Sequence, residues 1–293
     1  MRAFVIGNVA LDETVTVADL PAPGASIHGL AGPRGLGGKG ANQAIVLGRA
    51  GLGCRLGAAV GDDIRADEIH IRLAVEPIEV RLESVPGVGS DFSIILRTGS
   101  GENANITTNA AALRLTPRAA CAVLTGAQPG DLLVMQGNLS EETTIAVLRQ
   151  GRAMGLLTAL NPSPLRLFFG ALWPLVDIAF VNEGEATDLG GTTALLASGI
   201  RQIVLTLGPA WAKLLSAGQE ITVPAQPCVV LDTTGAGDCF MATALASAAL
   251  RGAPLDALAL RHAAAAAAIT VSRPGTVAAF PTQAELARIL TQV

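Results

Sequence analysis

Two acids separated by five small residues stand ahead of a long apolar segment: Asp232 and Asp238 flank the run Thr-Thr-Gly-Ala-Gly. No Gly or Pro follows Asp238 until Gly252, which predicts a helix that begins near Asp238. Residues 228–231 are apolar and partly β-branched, which predicts a strand end before the turn. The first N–H groups of a helix lack intrahelical partners and carry partial positive charge. A strand-to-helix turn of this composition therefore predicts an anion site, and phosphate is the anion that it fits.

The position of Asp238 in this turn allows two roles. A carboxylate among those amides repels a bound phosphate, so it fits better as a general base that takes the proton of an acceptor hydroxyl beside a transferring phosphoryl group. Asp is also among the commonest N-cap residues. The alternative is that Asp238 only caps the helix.

A second glycine-rich stretch, residues 35–40, satisfies the G-x-G-x-x-G pattern of dinucleotide-binding proteins and raises the alternative of a dehydrogenase. That fingerprint must leave a strand directly, whereas residues 29–34 contain Gly and Pro, which break strands. The stretch is not a P-loop either, because no Ser or Thr follows Lys39. The context therefore argues against both nucleotide motifs.

Residues 37–44 and 232–238 together resemble the two diagnostic motifs of the ribokinase-like, or PfkB-type, carbohydrate kinase family. The resemblance runs from Gly7 to Gly275 and is looser in the middle of the chain. It implies an ATP-dependent sugar kinase that phosphorylates a hydroxyl of a small carbohydrate. In this family Asp238 would be the catalytic base, and the amides of Gly235, Ala236 and Gly237 would form an anion hole.

The same resemblance implies a sugar site, whose residues are Asp12, Gly38, Lys39, Asn42 and Asn138. Asn42 would hydrogen-bond ring hydroxyls through its amide. Asp12 follows the first strand, where ligands of open α/β sheets bind, although it could also be a plain turn acid. The chain departs from the ribokinase pattern at Ala10 and Asn138, where ribokinase has an asparagine and a glutamate, so ribose itself is in question.

Residues 182–185 match the N-x-x-E element by which the family organises Mg²⁺ around the nucleotide phosphates. Glu185 would act directly or through water, since Mg²⁺ keeps most of its waters. Thr206 and Gly208 resemble the strand end that meets the nucleotide together with Asn182. The alternatives are an ordinary helix start with acids in its first turn and a plain strand followed by a turn.

A further set of residues corresponds to the site for a monovalent cation in many members of this family, where backbone oxygens of two loops surround potassium: Asp232, Thr234, Thr270, Arg273 and Gly275. Ala279 stands where a serine often contributes, which argues against potassium. The alternative for residues 273–275 is a simple turn.

The pattern of apolar runs predicts the elements that position these residues. Runs of strand length lie at residues 3–6, 131–135, 156–160, 178–181 and 203–207. Helix-length patterns lie between them, among them residues 41–50, 141–151 and 185–197, and the alanine run 263–268 predicts a close-packed core helix. The alternation predicts an α/β fold, with a largely parallel sheet covered on both faces.

Two segments, about residues 13–31 and 77–106, break this rhythm by alternating apolar and polar residues, as in an exposed antiparallel sheet. The alternating positions are Thr16, Val17, Val80, Leu82, Ile94 and Leu96. By resemblance this small sheet is a lid on a single three-layer α/β/α domain of residues 1–293. Its exposed edges predict a homodimer through the lid.

Composition excludes several other classes of protein. A net charge of −4 and a pI of 5.4 argue against a nucleic-acid partner. No apolar run reaches the roughly 20 residues of a membrane span, and no leader precedes the first strand, so we expect a cytoplasmic protein. The four cysteines and the three histidines, His28, His70 and His262, show no metal or catalytic spacing.

The sequence therefore predicts an ATP- and Mg²⁺-dependent carbohydrate kinase. A nucleoside, fructose or 2-keto-3-deoxygluconate kinase of the same family uses the same machinery and remains an alternative, although the scarcity of aromatic residues argues against base stacking. A non-catalytic sugar-binding protein is the alternative outside enzymes, because a fold alone does not establish activity.

Overall fold

A computed structural model describes residues 1–99 and 103–292 of the chain. Residues 100–102, which belong to the predicted lid segment 77–106, lie outside the described residues. The strands of the described part are β1 (Ala3–Ile6), β2 (Ala10–Val17), β3 (Gly29–Gly37), β4 (Cys54–Val60), β5 (Glu79–Ser84), β6 (Phe92–Thr98), β7 (Asn103–Thr107), β8 (Leu132–Gln136), β9 (Leu157–Asn161), β10 (Ile178–Asn182), β11 (Gln202–Thr206), β12 (Trp211–Ser216) and β13 (Gln219–Pro224). Its α-helices are α1 (Lys39–Arg49), α2 (Ile64–Leu73), α3 (Pro117–Ala122), α4 (Glu141–Ala153), α5 (Glu183–Asp188), α6 (Thr192–Ala197), α7 (Ala236–Arg251), α8 (Ala257–Val271) and α9 (Gln283–Leu290).

The larger sheet has the strand order β13-β12-β11-β10-β9-β8-β1-β4-β5. The strands from β11 to β5 in this order are parallel to their neighbours, and β12 and β13 add an antiparallel edge. In β1, Ala3 and Val5 pack into the hydrophobic cluster on one face, while Phe4 and Ile6 pack into the cluster on the other. Such strands are buried on both faces and read as continuous apolar runs. The α/β prediction is confirmed.

Helices cover both faces of this sheet. Buried residues of α1, α2, α7, α8 and α9 form one cluster with the sheet, and those of α3, α4, α5 and α6 belong to the other. The alanine run lies in α8, where Ala263 and Ala266 are fully buried. The helix predicted for residues 185–197 is wrong as a single element: Gly190 and Gly191, at φ 87° and 89°, separate α5 from α6.

The smaller sheet has the order β3-β2-β6-β7 and contains both parallel and antiparallel pairs. The prediction that placed Val80 and Leu82 in this sheet is wrong, because they lie in β5, which pairs in parallel with β4 at the edge of the larger sheet. A half-buried edge strand alternates just as an exposed antiparallel strand does.

Two local predictions around the motifs are also wrong. Residues 29–34 lie in β3 despite their Gly and Pro, since β3 is an edge strand and an edge tolerates a missing N–H donor. Residues 228–231 form no strand; Val229 is 75 % exposed and has no strand beside it. Among the described residues, no helix is both long and apolar enough to cross a membrane.

Candidate active site

Helix α7 begins at the predicted anion turn. Its N-cap is Gly235, in the left-handed region at φ 74°, where a side chain would also lie 2.8 Å from the Phe280 ring. Asp238 is therefore the third residue inside the helix and not its N-cap, so the capping alternative is wrong. The Ala236 N–H donates to the Thr233 carbonyl over 3.3 Å. Space beside Gly237 is open, and the first-turn amides there have no partner within the helix.

Two amides hold the carboxylate of Asp238, which is buried. Asn42 Nδ2 donates to Oδ2 over 2.9 Å, and Gln43 Nε2 donates to Oδ1 over 2.8 Å. Gln43 Oε1 in turn accepts from Gln136 Nε2 over 2.7 Å. Two charge-assisted hydrogen bonds, one to each oxygen, fix the orientation of the carboxylate. The arrangement presents Asp238 as a fixed proton acceptor.

Asn42 and Gln43 are brought to Asp238 by the glycine-rich loop before α1. Gly38 has φ 88°, and any Cβ at Gly40 would lie 2.7 Å from the Asn8 carbonyl oxygen, so both positions favour glycine. The Gly40 N–H donates to Asn8 Oδ1 over 3.3 Å and the Ala41 N–H to the Asn8 carbonyl over 3.0 Å. The loop is thereby fixed against the end of β1.

Asp12 lies in β2 of the small sheet and not at the end of β1, where the sequence placed it. Its Oδ2 accepts from the Thr276 hydroxyl over 2.6 Å. Burial raises the pKa of Asp12; hydrogen bonds from Thr276 and Ser93 oppose that rise, and the nearby charges of Asp238 and Asp232 add to it. A buried carboxylate of this kind gains from a ligand that donates hydrogen bonds to it.

Three buried side-chain atoms without a hydrogen-bond partner in the described part of the chain belong to predicted sugar-site residues or to the hydrogen-bond network of Asp238: Asn42 Oδ1, Gln136 Oε1 and Asn138 Nδ2. Leaving such atoms unpaired costs free energy, so the site is suited to a ligand that both donates and accepts. Hydroxyl groups do both. The donor at Asn138 and the acceptor at Asn42 therefore suit a polyhydroxylated ligand.

Asp238 also lines a cavity of about 260 Å³. Lys39, Asn182, Glu185 and Gly237 line it together with Asp238, so Lys39, which was predicted to contact the sugar, faces the cavity shared with the N-x-x-E element. Asn182 Oδ1 accepts from the Glu185 N–H over 2.8 Å, and Glu185 Oε2 accepts from the Asn182 N–H over 3.0 Å. The pair is a capping box for α5, as the structural alternative expected.

A second cavity, of about 490 Å³, shares Thr206, Gly208 and Gly237 with the first. Its remaining lining is mostly apolar and includes Trp211, Ala225, Val230, Phe240, Ala264, Ala267, Ala268 and Val271. Together the two cavities suit a nucleotide. The apolar cavity of about 490 Å³ suits the base, and the cavity of about 260 Å³, which has a lysine and a helix start, suits the phosphates.

Asp232, at the start of the turn, is held from three directions. Its Oδ1 accepts from the Thr234 N–H over 3.0 Å and from the Thr234 hydroxyl over 2.7 Å, and its Oδ2 accepts from the Gly275 N–H over 2.9 Å. The guanidinium of Arg97, in β6, forms an ion pair with the same Oδ2. Burial alone would raise the pKa of Asp232, but the hydrogen bonds from Gly275 and Thr234 and the charge of Arg97 lower it.

The other residues predicted for a monovalent cation have different partners. The Thr270 hydroxyl donates to the Ala266 carbonyl inside α8, and the Arg273 guanidinium pairs with Glu285 at 2.6 Å. Both oxygens of Asp232 already have donors, one of them cationic. The side chains present here do not fit a potassium ion, and no step of the reaction is derived through one.

The residues around Glu185 fit a magnesium ion better than those around Asp232 fit potassium. Glu185 Oε2 is used by the capping box, while its carboxylate lines the cavity that suits phosphates. No cluster of three or more His, Cys, Asp or Glu residues that could hold a metal occurs in the described ranges. A single carboxylate matches a Mg²⁺ ion that takes most of its ligands from water and nucleotide phosphates.

Sequence reasoning missed Gln43, Arg97 and Thr276. A signal existed for Gln43, since a glutamine between Asn42 and the apolar run Ala-Ile-Val must be buried and paired. Neither Arg97 nor Thr276 has such a signal, because each meets its partner across more than 100 residues of sequence.

Comparison with known proteins gives a consistent result. Residues 3–283 match the family described as pfkB family carbohydrate kinase. The chain is 29 % identical to ribokinase of Bacillus subtilis, with 98 % of each protein covered, and 28 % identical to deoxyribokinase of Salmonella typhi, with 96 % of each covered. Ribokinase from Cryptococcus neoformans, solved in complex with ADP, superposes with a TM-score of 0.83 at 26 % identity, covering 98 % of this chain and 99 % of that one.

Proposed function

The chain belongs to the pfkB family of carbohydrate kinases, enzymes that transfer a phosphoryl group to an alcohol, and from this membership we propose that it uses ATP to phosphorylate a hydroxyl of a small sugar. Pentoses of the ribose and deoxyribose type are the first substrates to test. The proposal rests on the family together with the placement of one carboxylate.

That placement is the single observation that carries the proposal. Asp238 accepts from Asn42, whose remaining amide oxygen is buried and unpaired, and it also lines the cavity shared by Lys39, Glu185 and Gly237. One carboxylate thus borders both the polar site that suits hydroxyls and the cavity that suits phosphates. A general base for phosphoryl transfer must have this position.

In the proposed reaction, Oδ1 or Oδ2 of Asp238 takes the proton of the sugar hydroxyl. The hydroxyl oxygen forms a bond to the γ-phosphorus while the bond from that phosphorus to the bridging oxygen breaks, which releases ADP. The unpaired amides at the start of α7 and the Lys39 ammonium offset the negative charge that develops on the transferring group. Asn42 and Gln43 keep the carboxylate in place during proton transfer.

Magnesium would be held near Glu185, directly or through water, and when bound it neutralises charge on the nucleotide phosphates. Glu185 keeps its backbone position through the capping box with Asn182. The nucleotide base would occupy the apolar cavity beside Trp211.

The sugar site supports a pentose without identifying it. Asp12 and Asn42 supply acceptors and Asn138 supplies a donor, while Ala10 is buried and offers no side-chain hydrogen bond. By resemblance, ribokinase has an asparagine at the position of Ala10; one polar side chain fewer suits a sugar with fewer hydroxyls, and deoxyribokinase of Salmonella typhi is among the similar proteins. We therefore propose 2-deoxyribose beside ribose as a substrate.

A homodimer through the small sheet is also proposed. Its edge strands β3 and β7 carry Leu30 and Ile106, which are 76 % and 62 % exposed. Exposed edges with apolar side chains favour pairing with a second copy. A cytoplasmic location stays a prediction.

The experiment is an ADP-release assay with Mg²⁺·ATP across pentoses, deoxypentoses, hexoses, sugar acids and nucleosides. ADP release that depends on a pentose supports the proposal. Release only with fructose, 2-keto-3-deoxygluconate or a nucleoside moves the substrate to that class. Sugar binding measured by calorimetry without ADP release from any member would replace the kinase by a non-catalytic sugar-binding protein.

A further inference from the structure

The guanidinium of Arg97 lies where the anion-hole turn meets the small sheet. We infer that Arg97 is the built-in cation of this turn, so that phosphoryl transfer by this chain does not require a bound monovalent metal ion. The inference rests on the proposed kinase function and concerns how the anion hole is held.

Three segments of the chain meet at the carboxylate of Asp232. Thr234 belongs to the turn that leads into α7, Gly275 to the loop after α8, and Arg97 to β6 of the small sheet. The side chain of Asp232 is only 2 % exposed, and that of Arg97 is 25 % exposed. Burying a carboxylate costs free energy, which a cationic partner offsets together with hydrogen bonds, and Asp232 has both.

Arg97 supplies that charge from within the chain. Its guanidinium pairs with Oδ2 of Asp232, which also accepts the Gly275 N–H. Oδ1 accepts both the N–H and the hydroxyl of Thr234. Neither oxygen is left to a metal ion of the same charge, and the positive charge of Arg97 repels a second cation at this distance. The guanidinium and a monovalent metal ion are therefore alternatives at Asp232.

Charge near the anion hole also explains why a cation matters here. Asp232 and Asp238 are close enough to Asp12 for their negative charges to raise its pKa. Three carboxylates beside a site for a polyanionic nucleotide oppose its binding, and the fixed charge of Arg97 reduces this repulsion. Because Arg97 lies on β6, the charge reaches Asp232 only while the small sheet is against the larger one. Arg97 is thus a positioning residue through which the small sheet holds the anion-hole turn.

The first test uses the unmodified protein. Turnover with the best sugar of the panel is measured with tetramethylammonium, sodium or potassium as the only monovalent cation, at constant ionic strength and saturating Mg²⁺·ATP. We expect kcat to differ by less than about twofold among the three, since both carboxylate oxygens of Asp232 have donors and Arg97 already supplies the positive charge. Stimulation by potassium of about tenfold or more overturns the inference.

The second test compares Arg97→Met with Arg34→Met as a matched control. Arg34 is also a small-sheet arginine, and it pairs with Glu13 and Glu68 at the surface. We expect Arg97→Met to lose about tenfold or more in kcat without potassium, because a charge-assisted contact to a buried carboxylate is lost, and to recover in potassium or guanidinium chloride. Arg34→Met should stay within about twofold of the unmodified protein.

Full activity of Arg97→Met without potassium contradicts the inference. So does a loss that neither cation restores in a protein whose thermal melting shows that it is folded. If Arg97→Met does not fold, the cation series on the unmodified protein still tests whether turnover requires a monovalent metal ion. Failure of the proposed function appears differently, as absence of sugar-dependent ADP release from the unmodified protein in every salt.

Discussion

The side-chain amide of Asn42 donates a hydrogen bond to Oδ2 of Asp238 over 2.9 Å, although the two residues are 196 positions apart in the sequence. The contact joins the first turn of α1, which follows the glycine-rich loop, to the first turn of α7. Since the amide oxygen of Asn42 is buried and unpaired, a hydroxyl that binds there would lie next to the carboxylate. The two motifs of the sequence therefore form one site.

Gln43 is expected to control the orientation of Asp238. Replacement by Leu removes one hydrogen bond to a carboxylate and should lower kcat about tenfold, with little change in KM for ATP. Gln43→Glu replaces that donor by a second carboxylate, which repels Asp238, and should lower kcat at least as much. Exposed Gln219→Leu is the control, and a kcat within about twofold of the unmodified protein in both Gln43 variants would argue against this role.

Asp12 should favour sugar binding but lower the free energy of unfolding, because its carboxylate is buried. Its pKa is raised in the folded state, so the folded protein binds the proton more tightly than the unfolded chain, and the free energy of unfolding falls as pH rises above 3.8. Asp12→Asn keeps an acceptor for Thr276 and should raise the melting temperature near pH 7, with a gain that shrinks toward pH 4. The same variant should raise KM for the sugar about tenfold. A lower melting temperature at every pH would contradict this account.

Glu285 is expected to stabilise the C-terminal helix and not a cation site. Pairing with Arg273 and hydrogen bonds from Thr282 lower the pKa of Glu285 to about 2. The stabilisation is complete above the ordinary value of 4.5 and is lost as pH falls toward about 2. Glu285→Gln keeps the capping-box acceptor and should lower the free energy of unfolding by about 1 kcal/mol at pH 7, a figure reduced for solvent exposure of the pair. Urea unfolding at pH 7 and near pH 2.5 measures it, and an equal loss at both values would contradict the charge assignment.

The apolar cavity beside α8 should accept the nucleotide base. Ala267→Leu places three additional carbons in its lining and should raise KM for ATP about tenfold while leaving KM for the sugar unchanged. Ala265→Leu in the same helix is the control, because Ala265 is not in that lining. Equal effects of the two variants on KM for ATP would indicate general damage to α8 and not a base site.

The sequence predicts the main strands and the helix at the anion turn because each depends on local composition. β1 is a continuous apolar run, β8 is apolar up to Gln136, and α7 contains no Gly or Pro after Asp238. Local composition misassigned β5, whose alternation reflects an edge position in the larger sheet. It also predicted a strand at residues 228–231, where β-branched residues have no neighbouring strand to pair with.

In the candidate site, too, residues in local motifs could be predicted from the sequence, whereas residues that meet only in the folded chain could not. Asp238 and Asn42 stand out in sequence motifs, and the structure brings them together. Arg97 and Thr276 do not stand out, because their partners Asp232 and Asp12 are distant in sequence and meet them only after the small sheet has packed on the larger one. Hydrogen bonds of this kind depend on tertiary packing and leave no local pattern.

The most direct test of Asp238 as the catalytic base is Asp238→Asn, measured by ADP release with the preferred sugar and by ATP binding. The amide has nearly the same shape but cannot take a proton, so kcat should fall by about 10³-fold while Kd for Mg²⁺·ATP changes by less than about threefold. Turnover within about threefold of the unmodified protein would contradict the central claim.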